Sequence, residues 1–163
     1  MKIRVAGIVP ESFVDGEGIR FTIFMQGCLR NCFGCHNPAT HDLKGGEILD
    51  TAEIISAIKK NPLLTGITLS GGEPLLQIEP AAELARAAKK LNLNVWCYTG
   101  FKFEEIAPEA EELLQNVDVL VDGEYIDELR DLELNFRGSK NQRIIDLKRS
   151  RELNKIILLE SFE

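Results

Sequence analysis

Three cysteines fall within eight residues, Cys28-Leu29-Arg30-Asn31-Cys32-Phe33-Gly34-Cys35, directly after a β-branched and aromatic run from Ile19 to Gln26. That run predicts a buried strand, and Gly27 predicts its release into a loop. Whatever the fold, it must present a thiol-rich loop at a strand end. Sulfur ligands suit zinc, copper(I) or an iron–sulfur cluster. A closed structural zinc site takes four protein ligands, and an ordinary electron-carrying cluster takes four cysteines. Three ligands in one tight loop, with no matching fourth nearby, leave one coordination position open for chemistry. Two blander readings stay beside this one: buried core thiols and a structural zinc site.

The 163 residues fit one domain, residues 1–163, with a single hydrophobic core. A net charge of −7 argues against a nucleic-acid surface. No apolar run approaches the roughly 18 residues that span a bilayer, and Pro10 and Glu11 interrupt any signal-peptide core. With no sign of secretion, four cysteines read as ligands or thiols rather than two disulfides. The expected compartment is the cytoplasm.

Along the chain, residues 2–9 predict a strand limited by Pro10, and 12–18 a turn-rich loop. Residues 36–46 have no period. Asp50 with Glu53 resembles a capping box before a helix carrying Ile54, Ile55 and Ile58. Residues 66–70 predict a strand, and Pro80 suits the first turn of a helix with Ala81, Leu84, Ala85, Ala88 and Leu91 on one side. Strands follow over 94–99 and 117–121, with a helical pattern between them over 103–115 that Pro108 divides. Residues 142–147 predict another strand, and 155–159 a last edge strand. Alternating strands and helices imply βαβ units and a mainly parallel sheet. Five or six strands are too few to close an eight-stranded barrel. The expected architecture is an α/β open partial barrel.

Four motifs each follow the C-terminal end of a predicted strand: the cysteine loop, Gly71-Gly72-Glu73-Pro74, Tyr98-Thr99-Gly100 and Val121-Asp122-Gly123. In parallel α/β folds those ends share the ligand-binding face. The glycine pair allows close backbone approach, and Glu73 with nearby carbonyls offers acceptors to an ammonium; the bland alternative is a solvated turn. Cys97 reads as a packed core thiol. The acidic run Glu104 to Glu112 reads as solvated surface. Arg137-Gly138-Ser139-Lys140-Asn141-Gln142-Arg143 is either an exposed loop or a carboxylate anchor through Arg137 or Arg143.

The cysteine spacing, with Phe33 after the middle cysteine, resembles the cluster loop of the radical S-adenosylmethionine enzymes. Val14 to Arg20, Cys35-His36-Asn37-Pro38, Tyr98-Thr99-Gly100, Leu120 to Gly123 and the Arg137 to Arg143 segment together resemble the glycyl-radical activating enzymes, most closely those acting on anaerobic ribonucleoside-triphosphate reductase. The likeness spans about residues 10 to 147. It departs at Glu17, where such enzymes commonly have Pro, and at His41, where a Trp often stands.

The resemblance implies a 4Fe–4S cluster on Cys28, Cys32 and Cys35, with S-adenosylmethionine on the fourth iron. It further implies that Gly71, Gly72 and Glu73 bind the methionyl amine, while Phe33, Gly34, Cys35 and His36 flank the adenine. His36 and His41 are not expected to ligate iron, because a fourth protein ligand would block the cofactor. The implied reaction is reductive cleavage of the cofactor and removal of a hydrogen atom from a glycine of the large glycyl-radical subunit. A low-potential donor such as flavodoxin or ferredoxin is implied as electron source. Activation of another glycyl-radical enzyme, such as pyruvate formate-lyase, and a non-catalytic iron–sulfur or zinc module are the alternatives.

Overall fold

The computed structural model of the protein describes residues 1–159. Its strands are β1 (Lys2–Ser12), β2 (Arg20–Met25), β3 (Glu47–Asp50), β4 (Gly66–Gly71), β5 (Asn94–Tyr98), β6 (Val119–Asp122) and β7 (Arg143–Asp146). The α-helices are α1 (Thr51–Lys59), α2 (Ile78–Lys90), α3 (Glu111–Leu114) and α4 (Leu147–Leu153). All seven strands form one sheet in the order β3-β1-β2-β4-β5-β6-β7. The four central strands, β2, β4, β5 and β6, run parallel. Antiparallel strands flank them on both sides. The result is the expected open, partial barrel: six of the seven strands fall on predicted segments, and β3 is the addition.

The side-chain period of two sorts each central strand between two environments. Phe21, Ile23 and Met25 of β2, Ile67 and Leu69 of β4, and Val95 and Cys97 of β5 join one cluster with Ile54 and Ile58 of α1 and Leu84 of α2. Burying such a branched side chain contributes about 2 kcal/mol. Ala81, Ala85 and Ala88 let α2 lie close on this face. On the alternate positions, Trp96 packs with Val119, Val121 and Ile144 in a second cluster. Cys97 is a buried core thiol, as its strand position predicts.

Arg20 also belongs to that second side. It is fully buried, and among the described residues no carboxylate pairs with it. Its guanidinium donates to Thr68 Oγ1 at 2.7 Å, Ile67 O at 2.6 Å and Glu17 O at 2.8 Å, and it lies over the Trp96 ring. These bonds offset the cost of burying the charge, while burial pushes the guanidinium pKa down to about 10.

Several local expectations change. Pro10 does not end β1, which continues to Ser12 through a register shift between Val9 and Ser12. Pairing with β3 ends at Val5, so the missing N–H of Pro10 removes no bond on that side. The strand β3 is unforeseen, being half-exposed and short. Asp50 ends it and caps α1, its side chain accepting from Ala52 N at 3.0 Å. Residues 103–115 give two 3-10 turns and the single-turn α3, because Pro108 opens a new turn rather than continuing a helix. Residues 155–159 meet β7 through an isolated bridge, Ile145 to Leu158, after α4, which was also unforeseen.

Candidate cluster and cofactor site

The parallel register brings the four strand-end motifs level. Met25 pairs with Gly71, Leu69 with Cys97, and Tyr98 with Val121. A cavity of about 430 Å³ opens at these ends. Cys28, Cys32 and Cys35 line it together with Gly71, Gly72, Glu73, Thr99, Gly100 and Gly123.

The cysteine loop is tied down at its base. Gly27 N donates to Thr40 O at 2.7 Å, and Gln26 Nε2 donates to Ala39 O and Asp42 O at 3.0 and 2.7 Å. Within the loop, Cys35 N donates to Cys32 O, and Asn37 N donates to Cys35 Sγ at 3.5 Å. Burial pushes the Cys28 thiol up, the Arg30 backbone N–H opposes it, and the other two loop sulfurs push the same way as burial. Among the described residues, no three His, Cys, Asp or Glu side chains converge on a point that one ion could occupy. Cys28, Cys32 and Cys35 nevertheless line one cavity, and three loop thiols are a donor set whose chemistry fits a 4Fe–4S cluster.

Glu73 is 3 % exposed and turns inward. Its Oε1 accepts from Leu75 N at 3.1 Å and Thr99 Oγ1 at 2.9 Å, and its Oε2 accepts from Gly100 N at 2.8 Å. A carboxylate has about four acceptor sites, so three protein donors leave room for one more. Burial raises the Glu73 pKa, opposed by these hydrogen bonds and by the Arg30 charge. The turn also grips the cluster loop, because Glu73 N donates to Gly27 O at 2.8 Å. Gly72 has no room for a side chain: a Cβ there would stand 2.3 Å from the Gly27 carbonyl oxygen.

Arg30, inside the cysteine loop, lines the cavity and lays its guanidinium over Phe101 at 4.3 Å. Gly100 makes room for it, since a Cβ at that position would lie 2.4 Å from Arg30 Cδ. Also at the cavity, the Tyr125 ring meets His36 edge-on at 4.9 Å and donates its hydroxyl to Asp127 Oδ1 at 2.8 Å. Arg137 lines the cavity too and donates to Gln142 O at 2.6 Å. Arg143 instead faces Asp122 and Glu104, with contacts at 2.5 and 2.8 Å, and forms an ion-pair network at the end of β6.

Of the residues expected to contact S-adenosylmethionine, Cys35, His36, Gly71, Gly72 and Glu73 line the cavity. Phe33 is 84 % exposed, and Gly34 packs against Asp127; neither lines the cavity. Arg30, Phe101, Tyr125 and Asp127 were not singled out from the sequence. An arginine between cluster cysteines is a signal in itself, but its stacking partner comes from the turn after β5.

The 4Fe-4S single cluster domain matches residues 14–145. The chain is 35 % identical over 143 residues to the anaerobic ribonucleoside-triphosphate reductase-activating protein of Haemophilus influenzae, covering 83 % of this chain and 92 % of that one. Its namesakes from Enterobacteria phage T4 and Escherichia coli K12 are 36 % and 30 % identical, covering 84 % and 85 % of this chain and 90 % and 96 % of theirs. In fold, the protein is similar to the crystal structure of QueE from Escherichia coli, with a TM-score of 0.50 at 13 % identity over 75 % of this chain and 70 % of that one. Among the described residues, no helix is long and apolar enough to cross a membrane. The chain belongs to the family of anaerobic ribonucleoside-triphosphate reductase-activating proteins, radical S-adenosylmethionine enzymes built on a single 4Fe–4S cluster domain.

Proposed function

We propose that this protein reductively cleaves S-adenosylmethionine and takes a hydrogen atom from a backbone glycine of anaerobic ribonucleoside-triphosphate reductase, leaving a glycyl radical there. The observation that carries this reading is the shared cavity of the cysteine loop and the Gly71-Gly72-Glu73 turn, in a chain of this family. Cys28, Cys32 and Cys35 hold the cluster. Gly71, Gly72 and Glu73 take the methionyl amine, with Glu73 supplying its remaining acceptor site. Cys35 and His36 form the adenine side, with Phe33 and Gly34 beside them in the same loop. When bound, the reduced cluster supplies the electron that splits the cofactor, and the cofactor supplies the radical.

The chain's own work is placement. The Gly27 to Glu73 bond holds the cluster loop against the amine-binding turn, and the Glu73 to Gly100 bond holds that turn against the next. Because the sheet stays open, a peptide loop can reach the cavity. A cytoplasmic setting and a low-potential donor such as flavodoxin or ferredoxin complete the reading.

The test is direct. Anaerobically reconstituted and reduced protein, mixed with S-adenosylmethionine and the reductase, should give 5′-deoxyadenosine and a glycyl doublet in electron paramagnetic resonance. Deoxyadenosine with a doublet on pyruvate formate-lyase but none on the reductase would reassign the partner. Absence of both products would end the proposal.

A further inference from the structure

We propose that Arg30 binds the methionyl carboxylate of S-adenosylmethionine. This rests on the reading that the cofactor's amine lies at the Gly71-Gly72-Glu73 turn. An α-amino acid carries its ammonium and carboxylate on one carbon, so the carboxylate group must sit beside the amine's site. The cation placed there is Arg30, which shares the cavity with Glu73 and is the positive charge acting on that carboxyl.

The state of the Arg30 side chain points the same way. Guanidinium has five N–H donors, yet among the described residues the buried Arg30 Nε has no hydrogen-bond partner. Its ion pair with Glu124 is 3.6 Å long, and the Glu124 side chain is 56 % exposed. Such a long, exposed contact is weak, so a carboxylate inside the cavity can displace it. Stacking on Phe101 fixes the plane of the guanidinium, and Gly100 leaves space for its stem. A planar fork held by its face keeps its edge for a carboxylate. Arg137, the other arginine of the cavity, also has a buried Nε without a partner among the described residues and donates to Gln142 O; what separates Arg30 is its place against Gly100, the residue whose N–H binds Glu73.

Equilibrium dialysis of cluster-loaded protein tests the assignment without turnover. Two ligands are compared, S-adenosylmethionine and its decarboxylated analogue, on unchanged protein and on Arg30→Gln, Arg30→Lys and Arg137→Gln, all matched for iron and sulfide. Losing a hydrogen bond to a charged group corresponds to a loss of about 10- to 100-fold. Arg30→Gln should lose that much affinity for S-adenosylmethionine and less than about threefold for the analogue, while Arg137→Gln should bind both as before. Arg30→Lys keeps the charge and should bind S-adenosylmethionine more tightly than Arg30→Gln. If the analogue binds too weakly to compare, this lysine rescue decides, and a lysine variant no better than glutamine overturns the proposal. Equal losses for both ligands, or none for either, also overturn it while leaving the cofactor reading intact. Unchanged protein that binds no S-adenosylmethionine would end both.

Discussion

Glu73 Oε2 accepts the Gly100 N–H at 2.8 Å across a separation of 27 residues. With Thr99 on the other oxygen, one buried carboxylate joins the turn after β4 to the turn after β5. Both turns line the cavity that the cysteine loop enters. The geometry of the amine-binding turn therefore depends on a bond made to the next strand over.

Glu73→Gln should expose that dependence. The amide offers one acceptor oxygen where the carboxylate offers two, so one of three donors faces an N–H group. An unsatisfied buried donor costs about 1–3 kcal/mol. Urea unfolding followed through Trp96, which is the only tryptophan and is buried, should show a lower midpoint with an unchanged slope. Affinity for S-adenosylmethionine should fall more than cluster content does. Unaltered affinity would remove Glu73 from the proposed site.

The cysteines should divide sharply. Cys28→Ala, Cys32→Ala and Cys35→Ala should each abolish cofactor cleavage, measured as deoxyadenosine formed. Cys97→Ala removes one buried sulfur from the core and should cost about 1 kcal/mol while keeping most cleavage. Retained cleavage in the Cys32 variant would show that the ligand set is wrong.

Arg143→Met tests the β6 terminus. Asp122 is 1 % exposed and takes Arg143 Nη2 and Nε at 2.5 and 3.0 Å. Removing the cation leaves a buried carboxylate with the Phe103 N–H as its remaining bond among the described contacts. Arg143 is 30 % exposed, so the loss is that of an underpaired buried acceptor, about 1–3 kcal/mol, rather than of a fully buried pair. A change in unfolding free energy below about 1 kcal/mol would show that the site relaxes or takes up water.

The same variant should alter the acid limb of stability. Arg143 hydrogen-bonds Glu104 and holds its carboxyl below the usual range. For a carboxyl depressed on folding, the contribution is present above the unfolded pKa and disappears as pH falls through the folded one. Arg143→Met should therefore lose less stability on acidification over that window than the unchanged protein. Parallel pH profiles would contradict the assignment.

Arg20→Met should be destabilising although it removes a buried charge. Thr68, Ile67 and Glu17 each accept from the guanidinium, and methionine would leave the Ile67 and Glu17 carbonyls without that donor. The expected cost is about 1–3 kcal/mol, read from the urea midpoint. A more stable variant would mean that desolvation of the cation outweighs its bonds.

Cysteine spacing, strand periodicity and turn composition are local, and they carried the parallel strands, the cluster loop and the level placement of four motifs. Asp50 as helix cap and Cys97 as core thiol were legible for the same reason, because a cap acts on its own first turn and a strand alternates every second residue. The edge strand β3 was not legible, because half-exposed pairing leaves little hydrophobic pattern. Pro10 misled because its effect depends on which neighbour the strand has at that point.

The amino-acid order alone determined the chemical type of the site, since three thiols in one short loop and a glycine pair before a glutamate are properties of adjacent residues. Only the tertiary structure decided what Glu73 and Arg30 do. One carboxylate is largely occupied by donors from the next turn, while one guanidinium is stacked on Phe101 with a buried donor left over. Those partners lie tens of residues away, and the parallel register of the sheet brings them within bonding distance.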